Sequence, residues 1–309
     1  MAIISESKLW KKRLGDWVIN PYVGCEHGCK HCYCPAMPGV KFTNGGRSQR
    51  EWGQYIFPKE NIIDRLKKEL ETFDPHRNST PWGNGFILLS FLTDCYSPIE
   101  SKLKLTREIL KLVLEAGHKV RIQTRSALVE RDFDILEKYT DQVILGTSLP
   151  YLDDRLARIL EPGATAPTRR VKMLEKAAAR NIPVYVAIAP VMPFHDLETI
   201  EDVLTKIAPL NPIEIFSEVL NPMDDNVKIM NETLEQSCRE ERISEFYRTN
   251  QWVRWTYEYL YHAYLLARKL DCNFICWPSP HSVKNPLSDQ EKRWLLKWLP
   301  EPSSQLTAA

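Results

Sequence analysis

Residues 20–34 read Asn-Pro-Tyr-Val-Gly-Cys-Glu-His-Gly-Cys-Lys-His-Cys-Tyr-Cys, which sets Cys25, Cys29, Cys32 and Cys34 directly behind a short apolar run. The first three thiols stand at separations of four and three, and Gly24 and Gly28 let the backbone wrap closely around a bulky group. Thiolates crowded on so short a loop suit a metal ion or an iron–sulfur cluster. A four-iron cluster ordinarily takes four protein ligands; three would leave one iron open to chelate a small molecule, as a catalytic zinc keeps one position free. The same residues also allow a tetrahedral zinc site completed by Cys34, His27 or His31.

The 309 residues include 41 Lys and Arg against 40 Asp and Glu, with 43% hydrophobic and 26% charged residues. This balance argues against broad electrostatic coating of a polyanion, while a local basic groove stays compatible with it. No apolar run approaches the ~18 residues that a membrane span needs. Residues 1–10 become charged too early for a secretory signal. The expectation is a folded, soluble, cytoplasmic protein without membrane contact, whose eight Cys are reduced thiols or metal ligands.

Short apolar runs predict strands at 17–22, 86–93, 119–124, 142–148, 183–189 and 213–220. Between them, apolar residues at three-to-four spacing predict helices at 59–73, 102–116, 131–139, 168–180 and 197–208. The alternation is that of an α/β fold, and six strands with right-handed crossovers suit a partial (β/α)6 TIM-like barrel with its site at the strands' C-terminal ends. A core barrel over 1–222 and a helical, aromatic-rich extension over 223–309 are the expected domains. The turn-prone residues 223–231 mark the boundary, and a helical stretch is expected over 237–270. Phe246, Tyr247, Trp252, Trp255, Tyr257, Tyr259, Tyr261 and Tyr264 give that stretch the area to cap the barrel's open side. Residues 36–55, with four glycines, read as a flexible loop near the cysteines. Cys238, Cys272 and Cys276, with His281, are expected to be buried thiols rather than a second metal site.

The Cys-x3-Cys-x2-Cys spacing resembles that of the radical S-adenosylmethionine superfamily. With Asn20-Pro-Tyr-Val-Gly, Thr93-Asp94, Pro98-Ile-Glu100, Thr124-Arg125, Arg131-Asp132 and Glu161-Pro-Gly163, the chain is similar to the spore photoproduct lyase-like branch over residues 17 to about 210. That resemblance implies a radical barrel fold in which Cys25, Cys29 and Cys32 hold a [4Fe–4S] cluster, Cys34 is not a ligand, and the open iron takes S-adenosyl-L-methionine. It further implies reductive cleavage of that cofactor to a 5'-deoxyadenosyl radical, hydrogen abstraction from substrate, and an electron donor such as flavodoxin or ferredoxin. By matching position, Asp94 is expected near the methionine amino group, Arg125 at the carboxylate, Ser148 at the ribose and Ala189 along the adenine. Tyr33 is expected to approach the cofactor or relay a radical.

Three departures from the branch bear on the reaction. His31 precedes the third ligand where a plain aromatic is usual, and Arg125 replaces a Lys. Phe91 stands where the lyase has the Cys that returns a hydrogen atom, which turns attention to Cys95 as a replacement donor at the barrel mouth. The substrate is not identified by any residue: a nucleic acid, a peptide and a small molecule all fit. The alternative from another class is a non-catalytic zinc- or cluster-binding interaction protein.

Overall fold

The computed structural model describes residues 2–43, 45–77, 84–223, 225–241, 243–249 and 251–299. Its strands are β1 (Ser5–Glu6), β2 (Trp17–Ile19), β3 (Tyr22–Gly24), β4 (Ile56–Pro58), β5 (Phe86–Leu89), β6 (Lys119–Gln123), β7 (Val143–Ser148), β8 (Val184–Val191), β9 (Glu214–Val219) and β10 (Phe274–Trp277). Eight form one sheet in the order β1-β2-β5-β6-β7-β8-β9-β10, and β3 and β4 pair separately. From β2 to β10 every neighbouring pair is parallel; only β1 runs against its partner. This mostly parallel α/β sheet is that of a partial barrel. The expected strand 17–22 is cut in two at Asn20-Pro21, because Pro has no N–H for the ladder.

The carboxy-terminal segment holds more than helices. After the helix Gln251–Lys269 the chain returns as β10, a seventh parallel strand beside β9. Four residues are too few to show a period, so nothing in the sequence announced it. The expected helix over 237–270 resolves into Ile243–Arg248 and Gln251–Lys269. Part of the expected turn region belongs to the helix Asn226–Gln236, anchored by buried Met230 and Leu234 one turn apart. The aromatic stretch packs on the helix-facing side of the sheet: Gln251–Lys269 buries Val253, Tyr259, Leu260 and Ala263 in the outer core, while Tyr257, Tyr261 and Tyr264 pack on Trp294.

Period-two alternation sorts the strand residues onto two faces. Ile87, Leu89, Val120, Ile122, Val143, Leu145, Val186, Ile188 and Ile215 face the helices and pack on Ile109, Leu110, Val171, Leu174, Val203 and Leu204. The other face, Leu88, Ile144, Tyr185, Ala187, Phe216, Ile275 and Trp277, fills the barrel interior with Leu9 and Leu14 from the amino-terminal segment. Deep inside, Arg121 pairs with Glu214, and its guanidinium lies 4.5 Å from the centre of the Tyr185 ring.

Tyr185 fits only because its neighbour on β7 is Gly146: a Cβ there would sit 2.1 Å from the ring. The ring is fully buried and has no room to retreat. Gly146→Ala should therefore lower stability by about 1–3 kcal/mol, read as an earlier urea midpoint. An unchanged midpoint would show that the ring can move.

Candidate active site

A cavity of about 180 Å3 opens where the parallel strands end. Gln123, Ser148, Ala187, Phe216, Glu218 and Trp277 reach it from the inward-facing positions of β6 to β10, one strand step beyond the layer of Arg121, Gly146, Tyr185 and Glu214. Asp94, Thr124 and Arg125 enter from the loops that follow β5 and β6, and Cys25, Cys29 and Cys32 from the loop after β3. The structure thus gathers the three cysteines with Asp94, Arg125, Ser148, Ala189 and Tyr33 around one space.

Cys25 and Cys29 are buried and Cys32 nearly so. Burial and the charge of Asp94 push the Cys25 thiol up to about 12. Burial raises Cys29, and contact with Cys34 together with burial raises Cys32, while the Arg125 charge opposes both shifts. Three such thiols are neutral on their own and ionise when a bound cation stabilises the thiolate. Among the described residues no three His, Cys, Asp or Glu side chains converge to cage a single ion. Cys34 lines the same cavity beside Cys32, and its thiol donates to the Phe91 carbonyl at 3.4 Å. Both ring nitrogens of buried His31 and the Gln123 Oε1 lack a protein partner. Burial and the nearby Arg125 push His31 down to about 3, so it is a neutral imidazole lining the cavity.

The loop is held by what surrounds it. Asp94 Oδ1 accepts from the Tyr96 N–H (2.9 Å) and the Thr124 hydroxyl (2.7 Å), and Oδ2 from the Arg125 N–H (2.8 Å), with His27 Nδ1 at 3.2 Å. Burial would raise this carboxyl, but His27, the Arg125 N–H and Thr124 outweigh it and hold Asp94 at about 2. Four donors fill a carboxylate's lone-pair positions. Asp94 therefore lines the cavity as an anion already engaged by the protein's own donors. On the other flank, the Gly163 N–H donates to the His27 carbonyl at 2.9 Å and the Lys30 N–H to the Leu160 carbonyl at 2.8 Å. A Cβ on Gly163 would meet the Glu26 carbonyl at 2.3 Å, so only glycine lets the two segments touch.

Glu161 ties that flank to the barrel. Its fully buried carboxylate lies 2.5 Å from Arg170 Nη2 and 3.6 Å from Arg125 Nε, and the Tyr151 hydroxyl donates to it at 3.3 Å. Arg170 also donates to the Ser148 carbonyl at 2.6 Å, and the Ser148 hydroxyl accepts from Gln123 Nε2 at 2.9 Å. Arg125 donates to the Ala189 carbonyl at 3.2 Å and, despite burial, stays protonated beside Glu161.

Cys95 is where expectation and structure part. The side chain is fully buried in the helix-facing core with Tyr96 and does not line the cavity. β5 ends at Leu89 and the chain turns at Cys95–Tyr96, and that turn sends Cys95 into the core while Asp94 lines the cavity. Phe91 does line the cavity, its ring centre 5.9 Å from that of Tyr33. Sequence reasoning missed Gln123, Glu218, Phe216, Trp277 and Lys12. The Lys12 ammonium is 2.5 Å from Glu218 and 4.7 Å from the centre of the Trp277 ring, which stacks on Phe216 at 3.8 Å. Inward phase along β6 and β9 could have found Gln123, Phe216 and Glu218. Lys12, from an irregular segment before the first barrel strand, gave no signal. Of the three thiols expected to be buried, only Cys276 is: Cys272 is half-buried and Cys238, at a helix end, is exposed; among the described residues no metal-ligating cluster gathers at them, Cys276 facing the Leu260 carbonyl and Cys272 the Leu270 carbonyl.

Burial tends to raise the Glu161 carboxyl, but Arg170 and Arg125 dominate and hold it at about 2 against an ordinary 4.5. Glu161→Gln should cost about 3–5 kcal/mol at neutral pH, because it strands the buried Arg170 charge. A depressed carboxyl stabilises above its unfolded pKa and loses that contribution as pH falls through the folded one. The gap between variant and parent should therefore narrow as pH drops from about 4.5 toward 2, which urea titrations at pH 7 and pH 3 would reveal.

Comparison with known proteins places this geometry. The family model of the radical SAM superfamily matches residues 19–207. Uncharacterised protein ORF301 of Acidianus two-tailed virus is 34% identical over 72% of this chain and 73% of its own length. Uncharacterised protein MJ0683 of Methanocaldococcus jannaschii is 32% identical over 66% and 70%. Among solved structures, a spore photoproduct lyase variant aligns with a TM-score of 0.58 at 12% identity, covering 76% of this chain and 64% of that one. SuiB of Streptococcus suis, bound to S-adenosylmethionine, aligns at 0.52 and 15%, covering 89% and 53%. This chain thus spans under two thirds of either solved protein, and the likeness to them is one of fold. The matched segment runs through the three-cysteine loop and the barrel strands β2 to β8, and the chain belongs to the radical SAM superfamily.

Proposed function

We propose that this radical SAM enzyme holds a [4Fe–4S] cluster on Cys25, Cys29 and Cys32 and S-adenosyl-L-methionine in the adjoining cavity, and abstracts hydrogen from an organic substrate. The observation that carries the reading is that these three thiols face the same space as Arg125, Ser148 and Ala189. The residues suit such a group: thiols whose burial leaves them neutral unless a cation stabilises the thiolate, and unpartnered buried polar atoms on His31 and Gln123, which line the cavity. When bound, the cluster and its cofactor supply a one-electron reductive cleavage that yields a carbon radical.

The chain's own part is to bind, orient and shield. Arg125 offers a permanent cation to the cofactor's carboxylate, and its guanidinium is steadied by Ala189 and Glu161. Ser148, set by Gln123 and Arg170, presents a hydroxyl for a sugar oxygen. Ala187 and Ala189 give an apolar wall for a flat base. Asp94, engaged by its four donors, acts as a positioning residue that fixes Arg125 and the cysteine loop. Phe216, Trp277, Lys12 and Glu218 form the part of the cavity left for substrate. Phe91 has no thiol and Cys95 is sealed in the core, so the return of a hydrogen atom by a cysteine, as in a lyase, has no support at either position. Tyr33 and Cys34 both line the cavity and are the remaining candidates for a hydrogen-atom donor or radical relay.

Anaerobically reconstituted parent protein should carry about four irons and four sulfides per chain. The Cys25→Ala/Cys29→Ala/Cys32→Ala variant should carry none, and Cys34→Ala should match the parent. Zinc without sulfide in the parent, or cluster loss in Cys34→Ala, would refute the ligand set. Arg125→Ala, which removes a buried charge partner, should weaken S-adenosylmethionine binding about ten- to a hundredfold by calorimetry.

A further inference from the structure

Two side-chain amides from distant parts of the chain end on consecutive carbonyls of the cysteine loop. Asn226 Nδ2 donates to the His31 carbonyl at 3.2 Å, and Gln49 Nε2 donates to the Cys32 carbonyl at 3.2 Å. Asn226 opens the helix Asn226–Gln236 and lies beyond the segment that the family model matches. Gln49 belongs to the stretch expected to be a flexible loop, where it starts a short turn of helix, Gln49–Glu51.

We propose that Asn226 and Gln49 are positioning residues for the third cysteine, fixing the peptide that presents Cys32 and the His31 ring to the cavity; the inference rests on the function proposed above. The other ties to the loop stop short of this cysteine. Asp94 and Gly163 both reach it at His27, between the first two thiols. Beyond Cys29, the Lys30 N–H donates to the Leu160 carbonyl at 2.8 Å and the Cys32 N–H to the Cys29 carbonyl at 3.1 Å. The two amides supply what those bonds leave open, a donor for each carbonyl on either side of the His31–Cys32 peptide bond.

Each amide is committed at both ends. Asn226 gives its second proton to the Asn221 carbonyl at 3.0 Å and accepts from the Met223 N–H at 3.0 Å. Gln49 Oε1 accepts from the Asp225 N–H at 3.1 Å. Neither amide can be turned over, because carbonyls require its N–H side and a backbone N–H requires its oxygen. Asn226 is fully buried, so no water stands ready to replace it. It also joins two walls of the cavity, since His31 lines one and Asn221, just past β9, lines another. Its helix is seated by Met230 and Leu234 in a cluster with Leu156 and Leu160, the residue whose carbonyl holds Lys30. Groups that hold a metal's ligands in place govern how firmly the metal is kept, and losing one costs about ten- to a hundredfold.

The test begins with the full-length protein free of cluster and follows backbone hydrogen exchange over residues 29–34. Gln49→Glu and Asn226→Asp keep the side-chain size but set an acceptor against each carbonyl. Either should speed exchange there about tenfold or more, while residues 119–123 of β6 exchange as in the parent. Arg50→Ala breaks the exposed pair of Arg50 with Glu232 and leaves both amides in place, so it should exchange like the parent. After anaerobic reconstitution, a chelator should strip iron from Gln49→Glu and Asn226→Asp about ten- to a hundredfold faster than from the parent. The electron paramagnetic resonance signal of their reduced cluster should differ from the parent's. Should Asn226→Asp fail to fold, Gln49→Glu, altered on a half-buried surface turn, decides the matter. Unchanged exchange over 29–34, equal loosening in Arg50→Ala, or a resonance signal and iron loss identical to the parent's would overturn the proposal. Exchange is read without the cluster, so a parent that takes up no iron refutes the ligand assignment alone.

Discussion

Four donors from three stretches of chain converge on the Asp94 carboxylate, and the placement of the cysteine loop follows from that convergence. His27 lies between the first two cysteines, Thr124 and Arg125 end the strand β6, and Tyr96 begins the turn after β5. A buried anion must be satisfied where it stands, so these elements cannot separate without exposing or stranding a charge. Glu161 does the same on the opposite flank, through Arg170, Arg125 and Tyr151. Arg125 belongs to both knots, by its backbone to Asp94 and by its side chain to Glu161. Any movement of the Arg125 guanidinium, which lines the cavity, would therefore disturb the loop that presents the thiols.

The barrel interior is stratified under this rim. The deeper layer is Arg121 paired with Glu214, with Tyr185 laid across Gly146, and one strand step toward the mouth stand Gln123, Ser148, Ala187 and Phe216. A bulky, satisfied floor leaves a cavity only at the strands' ends. The carboxy-terminal segment completes it: β10 brings Trp277 onto Phe216, and the amino-terminal turn brings Lys12 against Glu218. The last part of the chain thus has two faces, one that builds the site through β10 and one that clothes the outer sheet through the helix Gln251–Lys269.

The cysteines divide by environment. Cys25, Cys29, Cys32 and Cys34 line the cavity, the Cys34 thiol bonded to the Phe91 carbonyl, and Cys95 and Cys276 are sealed in the core. Burial raises every thiol among these for which a shift is resolved, so reactivity depends on what a bound cation supplies and not on any intrinsic acidity. Cys95 shows how a single residue step separates a site from a core, since Asp94 before it faces the cavity.

Much of this was legible in the chain itself. The six barrel strands, the crossover helices and the three-cysteine loop are local patterns, because alternation, helical spacing and thiol separation are written in consecutive residues. Asp94, Arg125, Ser148 and Ala189 were expected from the family resemblance, by matching position, and they do line one cavity. What the sequence could not show depends on contacts between distant segments. The full engagement of Asp94 by His27, the bridge from Glu161 to Arg125 and the pairing of Lys12 with Glu218 over Trp277 each join residues tens to hundreds of positions apart. β10 escaped because four residues carry no period, and its place is fixed only by the open edge of β9. Tertiary structure decided these features because burial removes water as a partner, and each charge or ring had to find its complement wherever folding brought one.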